Sequence, residues 1–293
     1  MKLALAIASI SIANLAVALP TKRGDVYSLN LALQLEHLQN AFFKQALDQF
    51  TESAFVDAGE PQWLHGRLEQ MSDHDASHQT FLSTALKTAG APAMASCEFA
   101  FSFTDPRSVV DQAVVLKQFS VAATNGLVRV LDNRDYAAVV SSMMGTEARH
   151  SAWLSSAVQQ RSPWSTAFET ALGPRQSYSM LLSYAKSCPT DNKSLKPFPT
   201  LALNAVQAGQ PASVAFTAPD APDRQLFAAF INGAAAPVFV PLEESNTKVK
   251  VPENLFGFVY VVITSDGGRW DDDVTVAGPI LLERSFNAEG QTV

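Results

Sequence analysis

Two tetrapeptides, Asp75-Ala-Ser-His78 and Glu147-Ala-Arg-His150, each set a carboxylate and an imidazole three residues apart. On a helix that spacing is about one turn, so both side chains leave the same face and can reach one ion. Oxygen and imidazole donors together suit iron or manganese. A two-metal carboxylate site inside a helical bundle uses two such pairs, plus one single Glu from each of the two remaining helices. Glu36, in LALQLEHLQNAFF, is the candidate for one of those single carboxylates, and no second one is evident. With 28 acids and five histidines in the chain, chance alone gives about 0.5 such pairs. Two occur, so the spacing leaves metal ligands and ordinary surface pairs both open, and context must decide.

The elements that would position these residues are legible as hydrophobic periodicity. From about Val26 to Lys186 apolar residues recur at three and four, with Gly and Pro held to the boundaries, which predicts consecutive helices. They run Val26 to Phe55, Gln62 to Thr88, Pro106 to Leu131 and Asp135 to Gln160, with a shorter fifth from Trp164 to Lys186. Pro106 after Asp105 is a first-turn proline, and Gly90-Ala-Pro92 ends the second helix. Glu36, Asp75, His78, Glu147 and His150 therefore fall on three different helices. After Cys188 the period changes. Short runs such as SVAFTA, QLFAAFI, APVFVPL and GFVYVVIT alternate with prolines and with turn signals such as Asn232-Gly233 and Asp266-Gly-Gly268, which predicts an antiparallel β-sandwich.

Composition bounds the address and the partners. MKLALAIASISIANLAVALP has an early Lys, an apolar run and small residues at Ala16 and Ala18, the pattern of a secretory signal peptide. Lys22-Arg23 follows as a dibasic processing site, so residues 1–23 are expected to be removed and the product secreted, extracellular or in the cell wall. Their removal takes away Lys2, Lys22 and Arg23 and no acid, moving the formal charge from −7 to −10. Such a charge argues against nucleic acid or an anionic membrane as partner, and no later stretch is apolar enough to span a bilayer. Cys97 and Cys188 are the only cysteines; an even pair in an oxidising compartment is expected to be bridged. Asn192-Lys-Ser194 is the single N-glycosylation sequon.

Several residues invite a functional reading and have a plainer one. His37 and His74 adjoin candidate ligands, which turns them about 100° away, toward the rim or solvent. His65 reads as a surface residue near a helix start. Asp271-Asp272-Asp273 offers oxygens for calcium, but a run of adjacent acids is usually solvated. No Gly-x-Ser-x-Gly nucleophile elbow occurs.

The stretches LNLALQLEHLQNAFFKQAL, SDHDASHQTFL, CEFAFSFTDPRSVV and SCPTDNKSLKPFPTLAL, with a tail containing Val276-Ala-Gly-Pro279, resemble the fungal secreted ferritin-like proteins of late sexual development, stress response and desiccation. The fold this implies is α+β in two domains. A ferritin-like four-helix bundle with a fifth helix would occupy residues 24–188, and an immunoglobulin-like β-sandwich residues 189–293. The resemblance makes Glu36 the first helix's ligand, Asp75 and His78 the second's, and Glu147 and His150 the fourth's. It would place a Glu three residues before a Gly in the third helix, where this chain has Ala123 before Gly126, and a Glu where Asp75 stands.

Three carboxylates leave about one positive charge of two divalent ions uncompensated in a low-dielectric core, unless water enters a space beside Ala123. The expectation is thus a development or stress protein with an incomplete dimetal site and no turnover, holding one or two Fe or Mn ions or none. Its sandwich would attach to cell-wall or extracellular components. The alternative is a metal-dependent oxidase or peroxide-removing enzyme, in which Glu147 bridges.

Overall fold

The computed structural model describes residues 23–189, 196–204, 206–217 and 224–291. The expected signal segment and Asn192 lie outside the described residues. Four long helices carry the first half: α1 (Arg23–Gln49), α3 (Leu64–Thr88), α4 (Pro106–Val128) and α5 (Arg134–Trp153), with a short α2 (Glu52–Asp57) between the first two. A single helix was expected as far as Phe55; it is broken after Gln49 because Thr51 caps a new one, its hydroxyl accepting from Ala54 N at 3.4 Å. Gly90, at φ +68°, follows the end of α3 as a left-handed stop. At the start of α4 the Asp105 carboxylate accepts from Ser108 N at 2.8 Å and Pro106 occupies the first turn, as its sequence predicts.

Two further predicted elements differ. The fourth helix ends in a wider π-helical turn, Leu154–Val158, in which Gln159 N donates to Leu154 O at 3.0 Å. The fifth helix is only Pro174–Leu182 (α6). Residues 164–173 run irregularly instead, because their backbone and hydroxyls are bonded elsewhere. Leu172 N donates to Ala122 O at 3.0 Å, and Ser165 Oγ accepts from Phe258 N at 2.7 Å. Beyond α6, β2 (Ala185–Ser187) pairs antiparallel with β1 (Glu98–Phe99), a ribbon the sequence did not announce. The expected Cys97–Cys188 bridge lies beside it, with S–S 2.00 Å and a sequence separation of 91. For a loop that long a disulfide removes roughly 4–5 kcal/mol of unfolded-state freedom.

The second half forms two antiparallel sheets: β3 (Leu201–Asn204), β4 (Pro211–Phe216) and β7 (Lys248–Lys250) in the order β3-β4-β7, and β5 (Phe227–Ile231), β6 (Val238–Pro241), β8 (Gly257–Thr264) and β9 (Thr275–Arg284) in the order β6-β5-β8-β9. Every residue of β8 is buried. Its alternation explains why GFVYVVIT reads as a continuous apolar run. Val259, Val261 and Ile263 join Ala228 and Phe230 in the core shared with the three-stranded sheet, whereas Phe258, Tyr260 and Val262 join Ala229 and Ile231 in the core shared with the helices. A strand covered on both faces needs apolar side chains at every position. The helices and the sheets therefore pack through one layered core, although their periodicities mark them as separate regions.

Polar groups fasten that junction. Tyr260 Oη donates to Gln118 O at 2.9 Å, and Gly233 N donates to Thr170 Oγ1 at 2.9 Å. Asp272 does not stand free for calcium: its carboxylate accepts from Arg175 N at 2.9 Å and Gln176 N at 3.2 Å at the start of α6, the favourable place for an acid on a helix. Asp271 pairs with Arg269 at 3.0 Å.

Candidate metal centre

Four of the five expected ligands converge. Glu36 on α1, Asp75 and His78 on α3 and Glu147 on α5 have ligand atoms within 4.8 Å of one another. Glu36, Asp75 and Glu147 are buried at 1%, 0% and 0% exposure. His78 Nδ1 lies 3.3 Å from Glu36 Oε2 and 3.6 Å from Glu147 Oε1. His150 stands apart from the four. Its Nδ1 is 3.9 Å from Glu147 Oε2, and its Nε2 is 3.0 Å from Nδ1 of His74, the two rings hydrogen-bonded edge to edge with their planes 7° apart. His74 is exposed, as its neighbouring position predicts, but it is coupled to the site through this hydrogen bond. Gln79 ties α3 to α1 below the cluster, Nε2 donating to Glu36 O at 2.9 Å.

Sequence reasoning missed the residue that completes the cluster. Lys117, on α4, is fully buried. Its Nζ donates to Asp75 Oδ1 at 2.7 Å, lies 2.8 Å from Glu147 Oε2 and stands 5.0 Å over the Phe43 ring. A signal for it existed: from Gln112 to Val128 Lys117 is the only charged residue in an otherwise apolar and neutral run. A lysine in such a run is almost never fully buried unless a carboxylate meets it. The register taken from the resemblance drew attention instead to Ala123, six residues on. Ala123 is packed in the core at 0% exposure. Gly126 beside it is needed for close approach, since a Cβ there would meet Leu172 O. The positive charge that meets the carboxylates is instead an ammonium, delivered from about two turns earlier on the same helix.

Electrostatics follow from this geometry. Burial works against the Lys117 ammonium, but Asp75, Glu147 and Glu36 outweigh it and hold the group charged, above its usual value. Burial alone would raise Glu147; Lys117 and His150 overcome that and bring it down to about 2. Burial lifts Glu36 well above the usual carboxylate range, with the Glu147 charge adding to it, and lifts Asp75 likewise against the pull of Lys117. Burial also lowers His78, His150 and His74, favouring the neutral imidazoles that metals bind.

Two divalent ions do not fit this donor set, because the ammonium already occupies the contact between Asp75 and Glu147, and a second cation there would face it without shielding. One ion does fit. Glu147 Oε1 and Asp75 Oδ2 are buried and without a hydrogen-bond partner, an expensive state for an oxygen. Both belong to the group that includes Glu36 and His78.

Comparison with known proteins agrees with the helical half. The sequence model of the ferritin-like domain family matches residues 24–160, the span from the first residues of α1 to just beyond the π-helical turn. The chain is also similar to protein rds1 of Schizosaccharomyces pombe, with 28% identity over 181 residues covering 61% of this chain. The similarity spans 44% of that relative's length. The chain thus has an N-terminal helical ferritin-like domain followed by a C-terminal β-sheet region, joined to a candidate carboxylate and histidine metal site.

Proposed function

We propose that this is an exported, non-catalytic ferritin-like protein of fungal development and stress survival, in which a lysine-neutralised acid cluster stands where a two-metal centre would be. The observation that carries the reading is Lys117 at 2.7 Å from Asp75 and 2.8 Å from Glu147, buried to 0%. An ammonium fixed between two ligating carboxylates supplies the positive charge they need, and removes the oxygens a second ion would require. The helices around it form a four-helix bundle in this reading, kept for its packing and its rigidity. The developmental and stress role rests on the family resemblance of the sequence. Export is supported by the N-terminal apolar segment and by the Cys97–Cys188 bridge.

The β-sheet region is an immunoglobulin-like sandwich in the same reading. Its orders β3-β4-β7 and β6-β5-β8-β9 follow A-B-E and C′-C-F-G of that architecture. Loops of such sandwiches commonly bind partners, and attachment to cell-wall or extracellular components is the role assigned here.

A second reading is favoured by the two unpartnered oxygens. One iron or manganese ion on Glu36, His78 and Glu147, with Asp75 beside it, would make the protein an oxidase or a peroxide-removing enzyme. When bound, such an ion would supply redox chemistry toward dioxygen or peroxide. Glu36, Glu147 and His78 would hold it, and Lys117 would keep Asp75 and Glu147 oriented.

Metal analysis by plasma mass spectrometry on protein exported from a fungal host separates the readings. Below about 0.1 equivalent supports the lysine-neutralised cluster, and about one equivalent that disappears in the Glu147→Ala, His150→Ala variant supports the single-ion enzyme. Two equivalents would overturn both.

A further inference from the structure

A pocket of about 340 Å³ opens on the outer side of the cluster, between α3 and α5. Each helix lines it with one stripe at the spacing i, i+3, i+4, i+7: Arg67, Gln70, Met71 and His74 from α3, and Thr146, Arg149, His150 and Trp153 from α5. That spacing is one face of a helix, so the pocket is built by two facing stripes and involves no loop. Its walls are flat and apolar. Met71 is buried, the His74 and His150 rings lie parallel at 7° with centroids 5.2 Å apart, and Trp153 meets the half-exposed Trp63 at 5.3 Å. Its rim is cationic. Arg67 and Arg149 are exposed, and each donates to a neutral neighbour: Gln70 Oε1 at 2.7 Å and Thr146 Oγ1 at 3.2 Å. Among the described residues neither guanidinium has a carboxylate partner, in a chain with 28 acids against 21 basic residues.

We infer that this pocket binds a small planar aromatic carboxylate, its ring against Trp153, Met71 and the coplanar histidines and its carboxylate on the arginine rim. A cavity of this size with apolar walls and a few placed polar groups is the usual form of a small-molecule site. Guanidinium is the side chain whose fork matches a carboxylate. A neutral aromatic would leave both arginines without a counter-charge, and an aliphatic acid would leave the flat walls poorly filled. The ligand would close the outer side of His150, whose Nδ1 lies 3.9 Å from Glu147 Oε2, so it would sit one side chain from the cluster without touching Lys117 or the carboxylates. The inference does not rest on metal being bound.

The test is calorimetric titration of the full exported chain, dialysed against chelator, with 2-naphthoate and with its neutral isostere 2-naphthamide. The account predicts that naphthoate binds at least about fivefold more tightly, the preference expected of a rim charge pair, and that this preference fades as salt is raised. Arg67→Gln, Arg149→Gln, both at exposed positions, should erase the preference and leave the far-ultraviolet circular dichroism unchanged. Trp153→Ala should weaken both ligands. Equal binding of the two ligands, no heat from either, or a preference that survives the double arginine variant would overturn it.

Discussion

Lys117 and Gln118 are neighbours on α4 and serve two different interiors. Lys117 points into the helices and meets Asp75 and Glu147. Gln118 faces the junction with the sheets: its carbonyl accepts from Tyr260, its Nε2 donates to Glu169 Oε2 at 3.0 Å, and its Oε1 accepts from Ser151. The first interior is an ionic cluster in which every charge depends on its partners. The second is a layered apolar core of Phe258, Tyr260, Val262, Ala229 and Ile231 pinned by a few hydrogen bonds. The contrast teaches where substitution should be costly. In the ionic interior, removing one member leaves an uncompensated buried charge, whereas at the junction a lost hydrogen bond is a local matter.

The sharpest way to break the comparison is Lys117→Met, which keeps the length and discards the charge. It should destabilise the protein by about 3–5 kcal/mol in urea unfolding near neutral pH, because Glu147 is then buried without its cation. A loss no larger than that of a junction variant would erase the distinction. Next comes Gly126→Ala, whose new Cβ would collide with Leu172 O. Overpacking there should cost about 1–3 kcal/mol and loosen the segment that leads into α6, readable as faster hydrogen exchange at Leu172. Tyr260→Phe should cost less, about 1 kcal/mol, since it deletes one buried hydrogen bond and keeps the ring.

The smallest effect is in pH. Burial pushes the Tyr184 phenol up to about 12 from its usual 10.0. A raised pKa means the native state holds the proton more tightly, so this contribution is intact below pH 10 and lost as pH rises toward 12. Tyr184→Phe should flatten the alkaline fall in stability measured by urea titration between those values.

The sequence made half of this contrast legible. Helical spacing marked the Asp75/His78 and Glu147/His150 pairs, the resemblance joined Glu36 to them, and the disulfide was expected from an even pair of cysteines. The apolar strands followed from composition. Lys117 was not found, because a family register fixes where a carboxylate ought to be and says nothing of a cation arriving from two turns away. The burial of β8 on both faces was visible as an unbroken apolar run, but which helices cover it is a long-range matter. The fifth helix was overextended for the same reason: residues 164–173 carry a helical period, yet their hydroxyls and backbone bond to α4 and to the sheet loops, and tertiary partners override local preference.

The central claim is that Lys117 fills the place of a cation. It is tested most directly by equilibrium dialysis against manganese of the wild-type chain and of Lys117→Glu, which puts a fourth carboxylate where the ammonium stood. The account predicts at most one equivalent on the wild-type protein and about two on the variant, the count that four carboxylates neutralise. Two equivalents on the wild-type chain, or a variant that binds no more than the wild type, would contradict it.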